Sequence, residues 1–254
     1  MNDAKSEALG GARFVGVDGR RGGWVAVELI EGGGWSAAVH SSVAELWHSH
    51  RETELILIDM PIGLPDGAAP RLCDQEARRM LKPGRASSIF PAPVRRVLNA
   101  SDYGEANALQ RQESGRGLSR QSWNLTGKIR ELDAPLQRDG LARERLRESH
   151  PELIFAKLFG GPMAHGKKTT AGFRERMAHL GRLFPEAETL VRRTLVAYRR
   201  SILARDDIVD ALALAVCGLR SGGRLHRVPD INVHDSTGLP CAIWYYDLAA
   251  TGAD

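Results

Sequence analysis

Four aspartates stand where a buried charge is costly. Asp18 ends the apolar run of RFVGVDG, Asp59 ends that of ELILIDMP, and Asp207 and Asp210 open the apolar stretch of RDDIVDALALA. An isolated buried carboxylate costs several kcal/mol unless something compensates it. Several converging carboxylates are most simply compensated together by a hard divalent cation, which prefers oxygen ligands. Bound Mg²⁺ or Mn²⁺ in such a cluster points to metal-assisted phosphoryl chemistry, with two ions roughly 4 Å apart between the acids.

Each acid also has a plainer reading. Asp18 before Gly19, and Asp59 before Met60-Pro61, read equally as turn residues. Asp206 or Asp207 reads as a helix cap or a first-turn charge. Asp210 resists that explanation, because it lies a full turn inside the helix, and Asp207 and Asp210, spaced i and i+3, share a face. The joint occurrence matters most, since α/β proteins build their sites at the C-terminal ends of strands.

Further candidates surround these four. ESHPELIF brings Glu148, His150 and Glu152 beside an expected strand end. Glu148 reads as an accessory catalytic carboxylate or as the partner of an arginine, and Pro151-Glu152 as a helix start. GRASSIFPAPVR offers Arg85, Ser87 and Ser88 to a phosphate, or is a packed loop anchored by Phe90. Arg71, Asp74 and Arg78 read as a salt-bridged helix face, with Arg78 also a candidate for substrate. Gln121 is a further substrate candidate, and both it and Lys128 fit a cleft or solvent equally.

The elements that would carry these residues follow from hydrophobic period and turn residues. RFVGVD, WVAVELIE and WSAAVH read as three strands joined by the turns GRRGG and GGG. SSVAELWHSH reads as a helix with a serine cap, and ELILID as a fourth strand, buried on both faces. Short turns impose an antiparallel meander, and the helical crossover allows the fourth strand to lie parallel to the first. Residues 66–142 change character, with helical patterns around a Gly/Pro/Ser-rich loop, and read as a helical insertion. A short fifth strand is expected late in RERLRES. Helices are then expected over HPELIFAKLF, KTTAGFRERMAHLGRLF, 187–200 and RDDIVDALALAVCGLRS, with CAIWYY as a final edge strand. Residues 1–12 read as a disordered leader and 13–254 as one domain.

The composition suits a soluble globular chain: 254 residues, 43% hydrophobic and 26% charged. No secretory h-region is visible, and the most apolar stretch is short and contains Asp210. A cytoplasmic location is expected. Cys73, Cys217 and Cys241 are scattered, with no zinc spacing. The formal net charge is +4 and arginine greatly outnumbers lysine, which suits phosphate recognition or a high-GC codon bias.

The order β-β-β-α-β, with acids on the first and fourth strands and on a last helix, resembles the ribonuclease H-like fold. The D-x-x-D-A-L-A run at 207–213 is similar to the last motif of bacterial Holliday-junction resolvases. More narrowly, VGVDGRRGGW, LILIDMPIGLP, GRASSIFPAPVR, LSRQSWNLTGKIRELD, ESHPEL and DDIVDALALA, in that order, resemble domain of unknown function 429. That family is described as predicted ribonuclease H-like nucleases.

The resemblance implies a mixed five-stranded sheet flanked by helices and a metal-dependent nuclease acting on DNA or RNA. Asp18, Asp59 and Asp207 or Asp210 would be its metal ligands. Two other classes compete with this one. One is a non-catalytic nucleic-acid binder of the same fold. The other is an actin-like or sugar-kinase ATP-binding protein, for which no Gly-rich adenosine segment is found.

Overall fold

The computed structural model describes residues 10–248; most of the expected leader lies outside them. Three strands open the chain, β1 (Arg13–Arg20), β2 (Gly23–Ile30) and β3 (Trp35–His40). They form the expected antiparallel meander, with Asp18 opposite Val25. Helix α1 (Val43–His50) starts where Ser42 accepts the Glu45 N–H, and crosses to β4 (Leu55–Ile58). β4 lies parallel to β1, and β5 (Leu146–Glu148) adds in parallel to β4. The sheet order is β3-β2-β1-β4-β5, a mixed five-stranded sheet flanked by helices, as in a ribonuclease H-like fold.

Between β4 and β5 come α2 (Leu72–Met80), two short 3-10 turns at 86–88 and 95–99, α3 (Tyr103–Ser114), α4 (Arg120–Arg138) and α5 (Gly140–Arg145). After β5 follow α6 (Pro151–Phe159), α7 (Thr170–Leu183), α8 (Ala187–Ala197) and α9 (Arg205–Ser221). α9 ends at Gly222, which takes the left-handed conformation that a side chain disfavours. No helix among the described residues is long and apolar enough to cross a membrane.

CAIWYY does not extend the main sheet. Its strand β7 (Ile243–Tyr245) pairs with β6 (His226–Val228) in a separate two-stranded ribbon. It rests beside the end of β5, where Ser149 Oγ donates to the Trp244 carbonyl at 2.7 Å. The free backbone edge of β7 was satisfied by a local partner that carries little hydrophobic pattern. Helix α5 was likewise unpatterned; Asp139 caps it, accepting from Leu141 and Ala142.

The two sheet faces bury different residues, because side chains alternate along a strand. Phe14, Leu55 and Leu57 pack with α6, α7, α8 and α9. Val15, Val17, Ile56 and Ile58 pack with α1 and α4 on the other face. This parity places Gly16 and Asp18 on the α9 face with Phe14, and Asp59 with Leu57. Gly16 is what allows α9 to lie directly on β1. A Cβ at this position would fall 2.0 Å from the Ala211 carbonyl oxygen and 2.3 Å from the Ala215 nitrogen. Both are backbone atoms, so any side chain here would lift the helix off the strand.

Candidate active site

The C-terminal ends of β1 and β4, the N-terminal half of α9 and the loop after α6 meet at one cavity of about 460 Å³. Asp18, Asp59 and Asp210 all line it. Asp18 is 7% exposed, and its Oδ1 accepts the Gly19 N–H at 2.7 Å. Asp59 follows directly on β4, its N–H donating to the Val17 carbonyl at 2.9 Å, so the two strand ends are locked side by side. Asp210 is 1% exposed and directly precedes the stretch of α9, from Ala211 to Ala215, that rests on Gly16. The close helix–strand contact is therefore what delivers a helix carboxylate to two strand-end carboxylates.

Their electrostatics follow from burial and crowding. Burial, then the neighbouring Asp59 and Asp210, hold the Asp18 carboxyl well above the usual range. Asp210 is pushed up by burial to about 6, against the pull of a cation, Lys167. The Lys167 Nζ donates to Asp210 Oδ2 at 2.5 Å. Burial works against that ammonium, but Asp210, Asp18 and Asp59 outweigh it and raise its pKa. Among the described residues, no three His, Cys, Asp or Glu side chains close into a metal cage.

Asp207 takes the capping role instead. Its Oδ2 accepts the Ala204 N–H at 3.4 Å at the start of α9, and it does not line the cavity. Burial and Asp206 raise its carboxyl, and it still adds to the field at Asp18.

Glu148 lines the cavity from the other sheet face. It is the register partner of Ile58, which packs toward α4 rather than α9. Its two oxygens accept from Arg71 Nη1 and Nη2 at 2.7 and 2.6 Å, and the Ile62 N–H adds a third bond at 2.7 Å. Arg71 also holds Asp74 at 2.5 Å and the carbonyls of Ile62 and Gly63. The expected salt-bridged helix face is thus a buried knot, and Glu148 is the partner of an arginine.

The loop wall is real, with a different anchor. Arg85, Ser87 and Ser88 line the cavity, Arg85 Nε donating to the Met163 carbonyl at 2.8 Å and Ser88 Oγ to the Arg85 carbonyl at 2.7 Å. Ile89, not Phe90, is buried; Phe90 is 44% exposed at the cavity. Arg78 stays behind the wall, donating to the Ile89 carbonyl at 3.1 Å. Gln121 is exposed and lies a turn before Asn124 and Leu125, the residues of α4 that reach the cavity. Lys128 reaches it too, with its Nζ bonded to the Gly23 carbonyl and over the Trp24 ring.

One contributor carried no local signal. Lys167 sits in an unpatterned loop, and its contact with Asp210 spans 43 residues. His150 and Glu152 line the cavity, and His150 Nδ1 and Glu152 Oε2 are buried with no hydrogen-bond partner among the described residues. Glu152 Oε1 accepts from Arg176 Nη2 at 2.5 Å.

A family model described as a protein of unknown function, DUF429, matches residues 16–233. No curated protein and no solved structure matches the chain. The matched span contains every residue of the carboxylate cluster and its lysine.

Proposed function

The chain belongs to the DUF429 family, and from its cleft we propose a divalent-metal-dependent nuclease that hydrolyses phosphodiester bonds in DNA or RNA. One observation carries this reading: Asp18, Asp59 and Asp210, from two adjacent parallel strand ends and a helix, face one cavity.

The donor set fits a hard cation. It is all carboxylate oxygen, it is buried and crowded enough to raise Asp18, and a lysine ammonium already sits on Asp210. Asp18, Asp59 and Asp210 would hold Mg²⁺ or Mn²⁺. When bound, the metal would supply Lewis-acid stabilisation and a water activated at neutral pH.

The rest of the work falls to the chain. The rigid strand ends fix Asp18 and Asp59, and the α9 contact fixes Asp210, so the acids need little reorganisation. Arg85 and Lys128 both bring positive charge to the lining of the cavity, suited to the flanking phosphates of a nucleic-acid strand. Ser87 and Ser88 add hydroxyls on the Arg85 side. Phe90, exposed at the cavity, offers an apolar ring on which a base could stack.

The test is cleavage of single-stranded, duplex, hybrid and branched substrates with Mg²⁺ or Mn²⁺. Asp59→Asn should abolish cleavage while leaving the fold intact by circular dichroism. The reading fails if no substrate is cut, or if the Asp59→Asn protein cuts as well as wild type.

A further inference from the structure

Lys167 belongs to the connection 160–169, and that connection is built to present it. The N–H groups of Ala164 and His165 donate to Glu175 at 2.7 and 2.9 Å, and Arg176 donates to the His165 carbonyl at 3.0 Å. Gly172 lets α7 press on the turn, since a Cβ there would meet the Gly166 carbonyl oxygen at 2.1 Å. Arg176 is itself buried and locked to Glu152. The segment just before Lys167 is therefore pinned from α7, while the lysine side chain remains 38% exposed.

The ammonium lands on the least exposed carboxylate of the cluster, whose side chain is 2% exposed. Asp210 is the acid that most needs a counter-charge when no other cation is present. An ammonium on a flexible stem, in contact with solvent, can supply that charge and still be displaced.

We propose that Lys167 is the resident counter-cation of the carboxylate cluster and competes with divalent metal for Asp210. This rests on the metal-dependent reading above. Metal entry would require Lys167 to withdraw into the cavity it already lines.

The experiment is Mn²⁺ binding by isothermal titration calorimetry, checked by the electron paramagnetic resonance signal of free Mn²⁺. Wild type, Lys167→Met, Lys167→Arg and Asp59→Asn would be compared in the absence of nucleic acid. Lys167→Met should bind Mn²⁺ roughly tenfold tighter or more, because the competing charge is gone. Lys167→Arg should stay near wild type. Without metal, Lys167→Met should melt several degrees below wild type, and saturating Mn²⁺ should close that gap. If Lys167→Met does not fold, Lys167→Gln takes its place in the same comparison.

Unchanged or weaker Mn²⁺ binding in the neutral variant, with wild type binding and Asp59→Asn not, overturns the competition and leaves the metal reading standing. Absence of Mn²⁺ binding in every variant overturns both.

Discussion

Two carboxylate–cation groups share one cleft and solve the same problem differently. In the first, Glu148 and Asp74 are clamped on Arg71, whose fork donates to both acids and to two carbonyls. All three side chains are about as buried as the core. In the second, Asp18, Asp59 and Asp210 line one cavity with Lys167 and Lys128, and Lys167 gives its hydrogen bond to Asp210 while Lys128 gives its own to the Gly23 carbonyl. Burial of charge is tolerated when each oxygen has a fixed donor, and it becomes a site when donors are too few. The Arg71 knot is therefore read as structure, and the Asp cluster as the place where a cation exchanges.

Breaking the knot should have the largest effect. Arg71→Met would leave Glu148 and Asp74 buried without their counter-charge, at a cost of about 3–5 kcal/mol. Urea unfolding would show it, and added Mn²⁺ should not restore the loss. A loss under about 1 kcal/mol would mean that the knot does not differ in kind from a surface pair.

The opposite sign is expected in the Asp cluster. Carboxyls with raised folded pKa values, here Asp18 and Asp210 (about 6), contribute stability that is fully present below about pH 4. That contribution is lost as pH rises through the folded values. The metal-free protein should therefore melt higher at pH 5.5 than at pH 7.5. Asp18→Asn should flatten this slope and raise the melting temperature of the metal-free protein at pH 7.5. Burial raises Glu148 as well, to about 7 against the pull of Arg71, but Glu148→Gln should lose stability at that pH, since its amide N–H groups would face the Arg71 donors. Equal responses from these two variants would erase the distinction.

The smallest effect marks the edge of the comparison. Asp206 is half-buried in the first turn of α9, outside both groups. Asp206→Asn should cost under about 1 kcal/mol and leave Mn²⁺ affinity within twofold of wild type. A large drop in affinity would extend the cluster to the helix start.

Much of this architecture was legible because it is local. The meander, the crossover helix and the long α9 each follow from period, caps and turns within a few residues. Asp18 and Asp59 were legible as site acids because a charge at the end of an apolar strand stands out, and Asp210 because no cap sits a turn inside a helix. The sequence places Glu148 near the site but leaves open whether it serves as an accessory carboxylate or as the partner of an arginine. Strand parity in β5 decides that choice, and parity is known only once the register with Ile58 is set. Phe90 and Ile89 exchanged roles for a similar reason, since the loop has no period from which to read its inner side.

By itself, the sequence determined which acids lie at strand ends and helix turns, and the order of elements that carries them, because hydrophobic period and turn chemistry act over short stretches. Only the tertiary structure decided which acid meets which cation. Arg71 reaches Glu148 across 77 residues, and Lys167 reaches Asp210 across 43. Those contacts depend on α9 lying flat on β1 over Gly16, and on α7 pinning the loop before Lys167. Close packing of backbone on backbone is fixed by the whole fold, and no spacing along the chain encodes it.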